Sequence, residues 1–157
     1  MVNKQCEFVL MRIRNVTNLI IGSVILIIVT GIIAYNTEKK NNPELSVSEF
    51  LSLSPFPSLK SIMTGMTSGL VFGFIDNAGL WFGMDALDPY LPGGALTKAG
   101  YGNTFSDFLG SFLGTFAGII IKNVTGITDT PLWSDTIGVV IGCLLGIFIP
   151  AAITGKQ

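Results

Sequence analysis

Apolar residues are concentrated in four stretches of the chain, which are separated by polar segments rich in Asn, Ser, Pro and Gly. These stretches cover residues 19–35, 61–74, 105–121 and 133–153. As a helix rising about 1.5 Å per residue, the first covers roughly 25 Å, close to the thickness of the bilayer core. Its many β-branched residues would also suit a strand, but a segment that crosses lipid must satisfy its own backbone hydrogen bonds. We therefore predict an all-α membrane protein with about four transmembrane helices.

The second stretch is interrupted by Asp76 and Asn77 before apolar residues resume at 78–87. Two interpretations compete. In one, the helix ends near Ile75 and a short interfacial helix follows it. In the other, a single long helix carries Asp76 at membrane depth, where a carboxylate is costly unless it is paired or hydrated. We expect the break.

The polar segments divide the chain into an anchor with a basic start (1–36), a polar linker (37–60) and a glycine-rich helical membrane domain (61–157). The basic residues before the first stretch are typical of a signal peptide, but residues 34–37 lack a small-residue cleavage pattern, so we expect a retained anchor. Within the linker, residues 47–53 are either a short amphipathic helix or an irregular loop. Residues 88–103 contain Pro–Gly and Gly–Asn clusters, which predict an ordered polar loop.

Glycine recurs at every fourth position in each of the last three apolar stretches. The rows are Gly65, Gly69 and Gly73; Gly110, Gly114 and Gly118; and Gly138, Gly142 and Gly146. Residues four apart lie on one face of a helix, and small residues there let two helix backbones approach closely in lipid. A single such pair is common in membrane helices, but three triples predict a bundle of three helices packed through glycine zippers.

The third and fourth stretches share a longer repeat. Ser106-Asp107 precedes Gly110 as Ser134-Asp135 precedes Gly138, which gives the pattern S-D-x-x-G-x-x-x-G-x-x-x-G twice. Ser and Asp at a helix start accept hydrogen bonds from free backbone N–H groups, so the repeat predicts two capped helix N-termini. The alternative is that Asp107 and Asp135 are ion ligands.

Composition agrees with a membrane protein and removes several classes of function. The chain is 49% hydrophobic and 12% charged, and its net charge of −1 gives no basic surface for nucleic acid. Histidine, the commonest general base and metal ligand, is absent. No motif for phosphate binding, nucleophilic catalysis or metal binding is present, and Asp85 with Asp88 suits a capped turn better than a calcium loop. We expect no enzyme activity, no cofactor and no metal.

The run from Gly69 to Gly94, which includes GLWFGMDALDPYLPGG, and the run GNTFSD at 102–107 resemble small membrane proteins of large icosahedral double-stranded DNA viruses of algae and protists. The resemblance covers roughly residues 61–150. It implies a minor capsid or inner-membrane virion protein in the lipid layer beneath the capsid, with other proteins of the particle as partners. The loop 76–103 would then be the contact surface, with these candidate residues: Asp76, Asn77, Trp81, Asp85, Asp88, Tyr90, Tyr101 and Asn103.

The leading functional hypothesis is therefore a structural virion protein that anchors the internal membrane to the capsid shell. The alternative is an oligomeric channel or holin-like pore, in which the same zippers join copies of the chain. A pore needs a polar stripe opposite the glycines, and only Ser68, Ser111 and Thr115 contribute to one.

Overall fold

The computed structural model describes the backbone of residues 2–155 and the side chains of residues 14–84 and 86–155. Its helices are α1 (Val2–Asn41), α2 (Val47–Phe50), α3 (Leu59–Leu87), a 3-10 helix (Asp88–Tyr90), α4 (Ala95–Thr125) and α5 (Ser134–Thr154). No strand occurs in the described part of the chain, so the all-α prediction is confirmed there. The chain divides into two compact units, residues 1–50 and 51–157.

The first unit consists of α1 and the short α2. The apolar side chains of α1 are exposed from Val16 to Ile33, as expected of a helix that faces lipid. Near the end of α1, the Tyr35 hydroxyl donates a hydrogen bond to the Leu45 carbonyl beyond the helix (3.0 Å), and its ring packs against Phe50. The N–H of Ser46 donates to the Glu49 carboxylate at the start of α2, and this contact lowers the pKa of Glu49.

Among the residues that the structure describes, three helical segments are long and apolar enough to cross a membrane. They are Arg14–Asn41 within α1, Ala95–Thr125 and Ser134–Thr154, with mean hydropathies of 2.5, 1.5 and 2.4. Helix α3 has 29 residues but is not among them. The chain is therefore a helical protein with three candidate membrane-spanning helices.

The second unit is built around α3. Helices α4 and α5 both pack along α3 and make few contacts with each other. The left-handed residues Gly126 (φ 70°) and Gly155 (φ 64°) end α4 and α5, and at each the backbone N–H bonds to the carbonyl four residues earlier. The unit is thus a row of three helices with α3 in the middle.

The predicted break near Ile75 is wrong, because α3 continues without interruption through Asp76 and Asn77. An unbroken helix keeps every backbone group of this region hydrogen-bonded, which a break in lipid would not. The two polar side chains are accommodated by partners on α4 and α5, described below. Those partners come from distant parts of the sequence.

The predicted loop over 88–103 is also wrong in its second half. Helix α4 already begins at Ala95, directly after Gly93 (φ 97°) and Gly94, so the connection is short. The Gly-Tyr-Gly-Asn segment expected to form a turn lies inside α4. There Gly102 is buried, and a Cβ at this position would lie 3.0 Å from Leu80 of α3. Its glycine serves close packing rather than a turn.

The capping interpretation of the Ser-Asp repeat is wrong for α4, and in α5 the repeat marks the helix start without a side-chain cap. Ser106 and Asp107 lie in the interior of α4, and the N-cap of α5 is Trp133, without a side-chain hydrogen bond to the helix end. The Ser134 hydroxyl donates instead to the Pro131 carbonyl at 2.7 Å. Only Asp135, in the first turn of α5, lies where the helix dipole favours a negative charge.

Candidate functional site

The contact between α3 and α5 is lined by glycine on both helices. A Cβ at Gly69 would lie 2.8 Å from the Val139 backbone nitrogen, and one at Gly73 would lie 2.8 Å from that of Cys143. On the other side, a Cβ at Gly142 would lie 2.9 Å from the Phe74 backbone nitrogen. Since these neighbours are backbone atoms, they cannot rotate away as side chains can. The two helices meet at distances that no larger residue permits.

The contact between α3 and α4 has most of its glycines on α4. Gly110 and Gly114 of α4 face Phe72 of α3, where an added Cβ would lie 3.0 Å and 3.2 Å from backbone atoms of that residue. Gly118 faces the side chain of Ser68, 3.1 Å from its Cβ. Helix α3 therefore presents its glycine row to α5 and a row of larger residues to α4.

The internal repeat turns out to be a repeat of buried positions. Every buried residue of α4 and of α5 is spaced four apart along its helix: Gly102, Ser106, Gly110, Gly114 and Gly118 in α4, and Ser134, Gly138, Gly142, Gly146 and Pro150 in α5. Both serines face a glycine of α3. A Cβ at Gly79 would lie 3.2 Å from the Cβ of Ser106, and one at Gly65 would lie 3.0 Å from the Cβ of Ser134.

Two neighbouring polar residues of α3 link the three helices. The fully buried Ser106 hydroxyl donates a hydrogen bond to the Asp76 carboxylate at 2.8 Å. Asn77 donates from its side-chain amide to the Cys143 carbonyl of α5 at 3.1 Å. Hydrogen bonds between helices hold polar groups that lipid cannot solvate. Asp76 thus bonds to α4 and Asn77 to α5, at one level of the bundle.

The link to α4 continues along α4 itself. Asn103 donates from its amide to the Asp107 carboxylate at 2.7 Å, and its carbonyl lies 3.1 Å from the Ser106 hydroxyl. Two carboxylates, an amide and a hydroxyl therefore lie close together at this level. Among the described residues, no group of three side chains has the arrangement of a metal site.

The connection between α4 and α5 is held against the start of α3. The Ser61 hydroxyl donates to the Asp129 carbonyl at 2.7 Å, and the Leu132 N–H donates to the Ser52 hydroxyl at 3.3 Å. The rings of Phe56 and Trp133 lie 6.5 Å apart at the same end. These contacts order the end of the unit at which α5 begins.

The eight residues of the predicted contact loop do not form one loop. The structure places Asp76, Asn77, Trp81 and Asp85 in α3, Asp88 and Tyr90 in the 3-10 helix, and Tyr101 and Asn103 in α4. Among them, Tyr90 has 84% of its surface exposed. Asp88 forms an ion pair with Lys98 at 3.3 Å, which fastens the connection to the first turn of α4. The connection itself is residues 88–94.

No relative was found. No family model matches the chain, and neither a curated protein nor a solved structure shows significant similarity to it.

Sequence reasoning missed several packing residues. Gly102 and Pro150 extend the rows of α4 and α5 by one more position of the same spacing, so the pattern itself could have identified them. Ser68 and Phe72, which contact the glycines of α4, belong to no spacing pattern in the sequence. Their role depends on which face of α3 meets which neighbour.

Proposed function

We propose that the chain is a structural membrane protein whose residues 51–157 form a rigid, lipid-embedded helical scaffold held by glycine zippers. The observation that carries this proposal is the contact of α3 and α5 through glycines on both sides, at positions where an added Cβ would meet backbone atoms. Such contacts give van der Waals packing along the helices, which is the main source of association in lipid. They support close packing of the helices against one another rather than an arrangement around a channel.

The same proposal makes α3 a fourth membrane-spanning helix, beside α1, α4 and α5. At about 1.5 Å per residue, its 29 residues extend roughly 43 Å, which is longer than a bilayer core. It packs along α4 and α5, which are both apolar enough to span. Its polar residues Asp76 and Asn77 form side-chain hydrogen bonds with those neighbours.

We further propose that this scaffold belongs to a virion and connects the internal membrane to the capsid shell. The support is the resemblance of residues 69–94 and 102–107 to viral membrane proteins, together with an exposed feature at one end of the bundle. There Tyr90 and Leu96 are 84% and 88% exposed beside a connection fastened by the Asp88–Lys98 pair. Exposed aromatic and apolar groups on an ordered connection suit a contact with another protein.

Two measurements test the two levels of the proposal separately. Liposomes containing the purified protein should show no more ion flux than empty liposomes. A defined oligomer that conducts ions would refute the scaffold hypothesis and support the pore hypothesis. Particles of the virus that encodes the chain should contain it at a constant ratio to the major capsid protein across a density gradient. Recovery only in host membranes would refute the virion role and leave the scaffold untouched.

A further inference from the structure

A cavity of about 300 Å³ is lined by residues of α3, α4 and α5. Its polar lining comes from all three helices: Ser68 of α3, Ser111 and Thr115 of α4, and Asp135 of α5. Its volume is at the lower end of the range for small-molecule sites, about 300–1,000 Å³. The cavity therefore has the size of a site for a small group rather than for a whole helix.

The polar groups of this cavity lack protein partners. Within the described part of the chain, the hydroxyls of Ser68, Ser111 and Thr115 and the Asp135 carboxylate make no hydrogen bond or ion pair. Other helix hydroxyls of this unit donate to the carbonyl four residues earlier, namely those of Thr67, Thr104 and Thr125. Unpaired polar groups that face lipid are costly. The four groups are thus available to a ligand.

The position of the cavity along α5 indicates which part of a lipid would reach it. Asp135 is the second residue of α5, and Val139, which also lines the cavity, lies about 6 Å further along the helix axis. Since α5 is a candidate membrane-spanning helix, its first turn lies near the bilayer surface. The site therefore extends from the headgroup level toward the level of the glycerol esters.

The lining residues favour a ligand that carries a positive charge and has hydrogen-bond acceptors close to that charge. Asp135 supplies the only formal charge, which is negative, and three hydroxyls supply donors for phosphate or ester oxygens. A quaternary ammonium group is typically bound by several aromatic faces, whereas this cavity has one aromatic residue, Phe72. A primary ammonium group instead donates hydrogen bonds directly to a carboxylate.

We propose that this cavity binds a phospholipid with a primary ammonium headgroup, with the ammonium at Asp135 and the ester or phosphate oxygens at Ser68, Ser111 and Thr115. This proposal rests on the proposed function, in which α4 and α5 are embedded in the membrane, and it names a lipid ligand for that scaffold. A bound lipid would fill the space between two helices that hardly touch each other.

The test is native mass spectrometry of the protein released from vesicles containing equal amounts of phosphatidylethanolamine, phosphatidylcholine and phosphatidylglycerol. The wild type should retain phosphatidylethanolamine at least tenfold more than the other two lipids. Asp135→Asn and, independently, Thr115→Val should each reduce this preference several-fold. Asp129→Asn, an exposed carboxylate outside the cavity, is the matched control and should leave it unchanged.

Several outcomes would overturn the proposal. These are equal retention of the three lipids by the wild type, a preference that survives both cavity substitutions, and a dimer of the chain in place of a lipid adduct. Loss of the lipid preference with soluble ethanolamine at the same concentration as the lipid would also overturn it, since the site would then bind the free amine as tightly as the phospholipid. Alkaline extraction of the same vesicles reports membrane insertion separately, so a failure of embedding is distinguished from a failure of lipid selectivity.

Discussion

Because Gly142 has no side chain, the backbones of α3 and α5 can approach each other closely at this position. A methyl group there would lie 2.9 Å from the Leu70 carbonyl carbon and from the Phe74 backbone nitrogen. Gly83 of α3 offers the opposite case, since nothing lies within 4 Å of an added Cβ. The same substitution therefore has opposite physical consequences at the two positions.

Gly142→Ala is expected to lower the free energy of unfolding by about 1–3 kcal/mol, because the extra atom must push two backbones apart. Gly83→Ala is expected to leave it unchanged or to raise it by up to about 1 kcal/mol, because alanine favours the helix. Unfolding in mixed micelles can be followed by the fluorescence of Trp81 and Trp133, both in the second unit. Equal effects at the two positions would show that close contact at Gly142 contributes nothing.

The hydrogen bond between Asp76 and Ser106 is a second feature that belongs to single residues. Asp76→Ala and Ser106→Ala should show a coupling energy of about 0.6 kcal/mol, with an upper value of about 1.7 kcal/mol, as for other hydrogen bonds between membrane helices. The control cycle pairs Asp76→Ala with Thr104→Ala, whose hydroxyl bonds within α4 to the Gly100 carbonyl. Coupling of the same size in both cycles would contradict a specific link.

At the scale of the helices, strongly apolar segments were predicted well and mixed ones were not. Helix α5 spans Ser134–Thr154 against the predicted 133–153, because its hydrophobic run is nearly continuous. Helix α4 begins ten residues before the predicted 105, since Gly100 and Gly102 were interpreted as turn residues. A glycine needed for close packing and a glycine needed for a turn look identical in one sequence.

The residues that pack the helices together were predictable only in part, because sequence spacing shows which glycines share a face but not which residues they contact. The spacing of the nine glycines predicts a shared helix face, and at each of the nine an added Cβ would crowd atoms of a neighbouring helix. Their partners were not predictable, since Ser68 and Phe72 are marked only by their position opposite α4. The continuity of α3 was missed because its stabilising partners, Ser106 and the Cys143 carbonyl, are contributed by other helices.

If α3 spans the membrane, its two ends face opposite sides. Single cysteines at Leu53 and Tyr90, both exposed, are then expected to react with an impermeant thiol reagent from opposite sides of sealed vesicles. Cys6 and Cys143 are first replaced by serine, and Thr128→Cys serves as the control, since α4 places it opposite Tyr90. Labelling of positions 53 and 90 from one side would show that α3 does not cross the membrane.

At the scale of the whole molecule, the chain combines a largely exposed helical first unit with a packed second unit. The second unit has little buried apolar surface; Ala78 is its buried hydrophobic residue among those described, whereas Thr64, Ser106 and Ser134 are buried and polar. Such a unit cannot depend on a hydrophobic core, and large apolar side chains such as Phe108 and Phe116 remain exposed for lipid. Close backbone contact and interhelical hydrogen bonds take the place of the core.

The most direct test of this account is disulfide cross-linking between Gly65→Cys and Ser134→Cys in a chain without its native cysteines. A Cβ at Gly65 would lie 3.0 Å from the Ser134 Cβ, near the separation of about 3.5–4.5 Å found in disulfides. The account predicts a bond within one chain, seen as a monomer whose α3 and α5 peptides remain linked after proteolysis, whereas Gly83→Cys with Ser134→Cys stays unlinked. A dimer joined through these positions, or no bond at all, would contradict a scaffold closed within one chain.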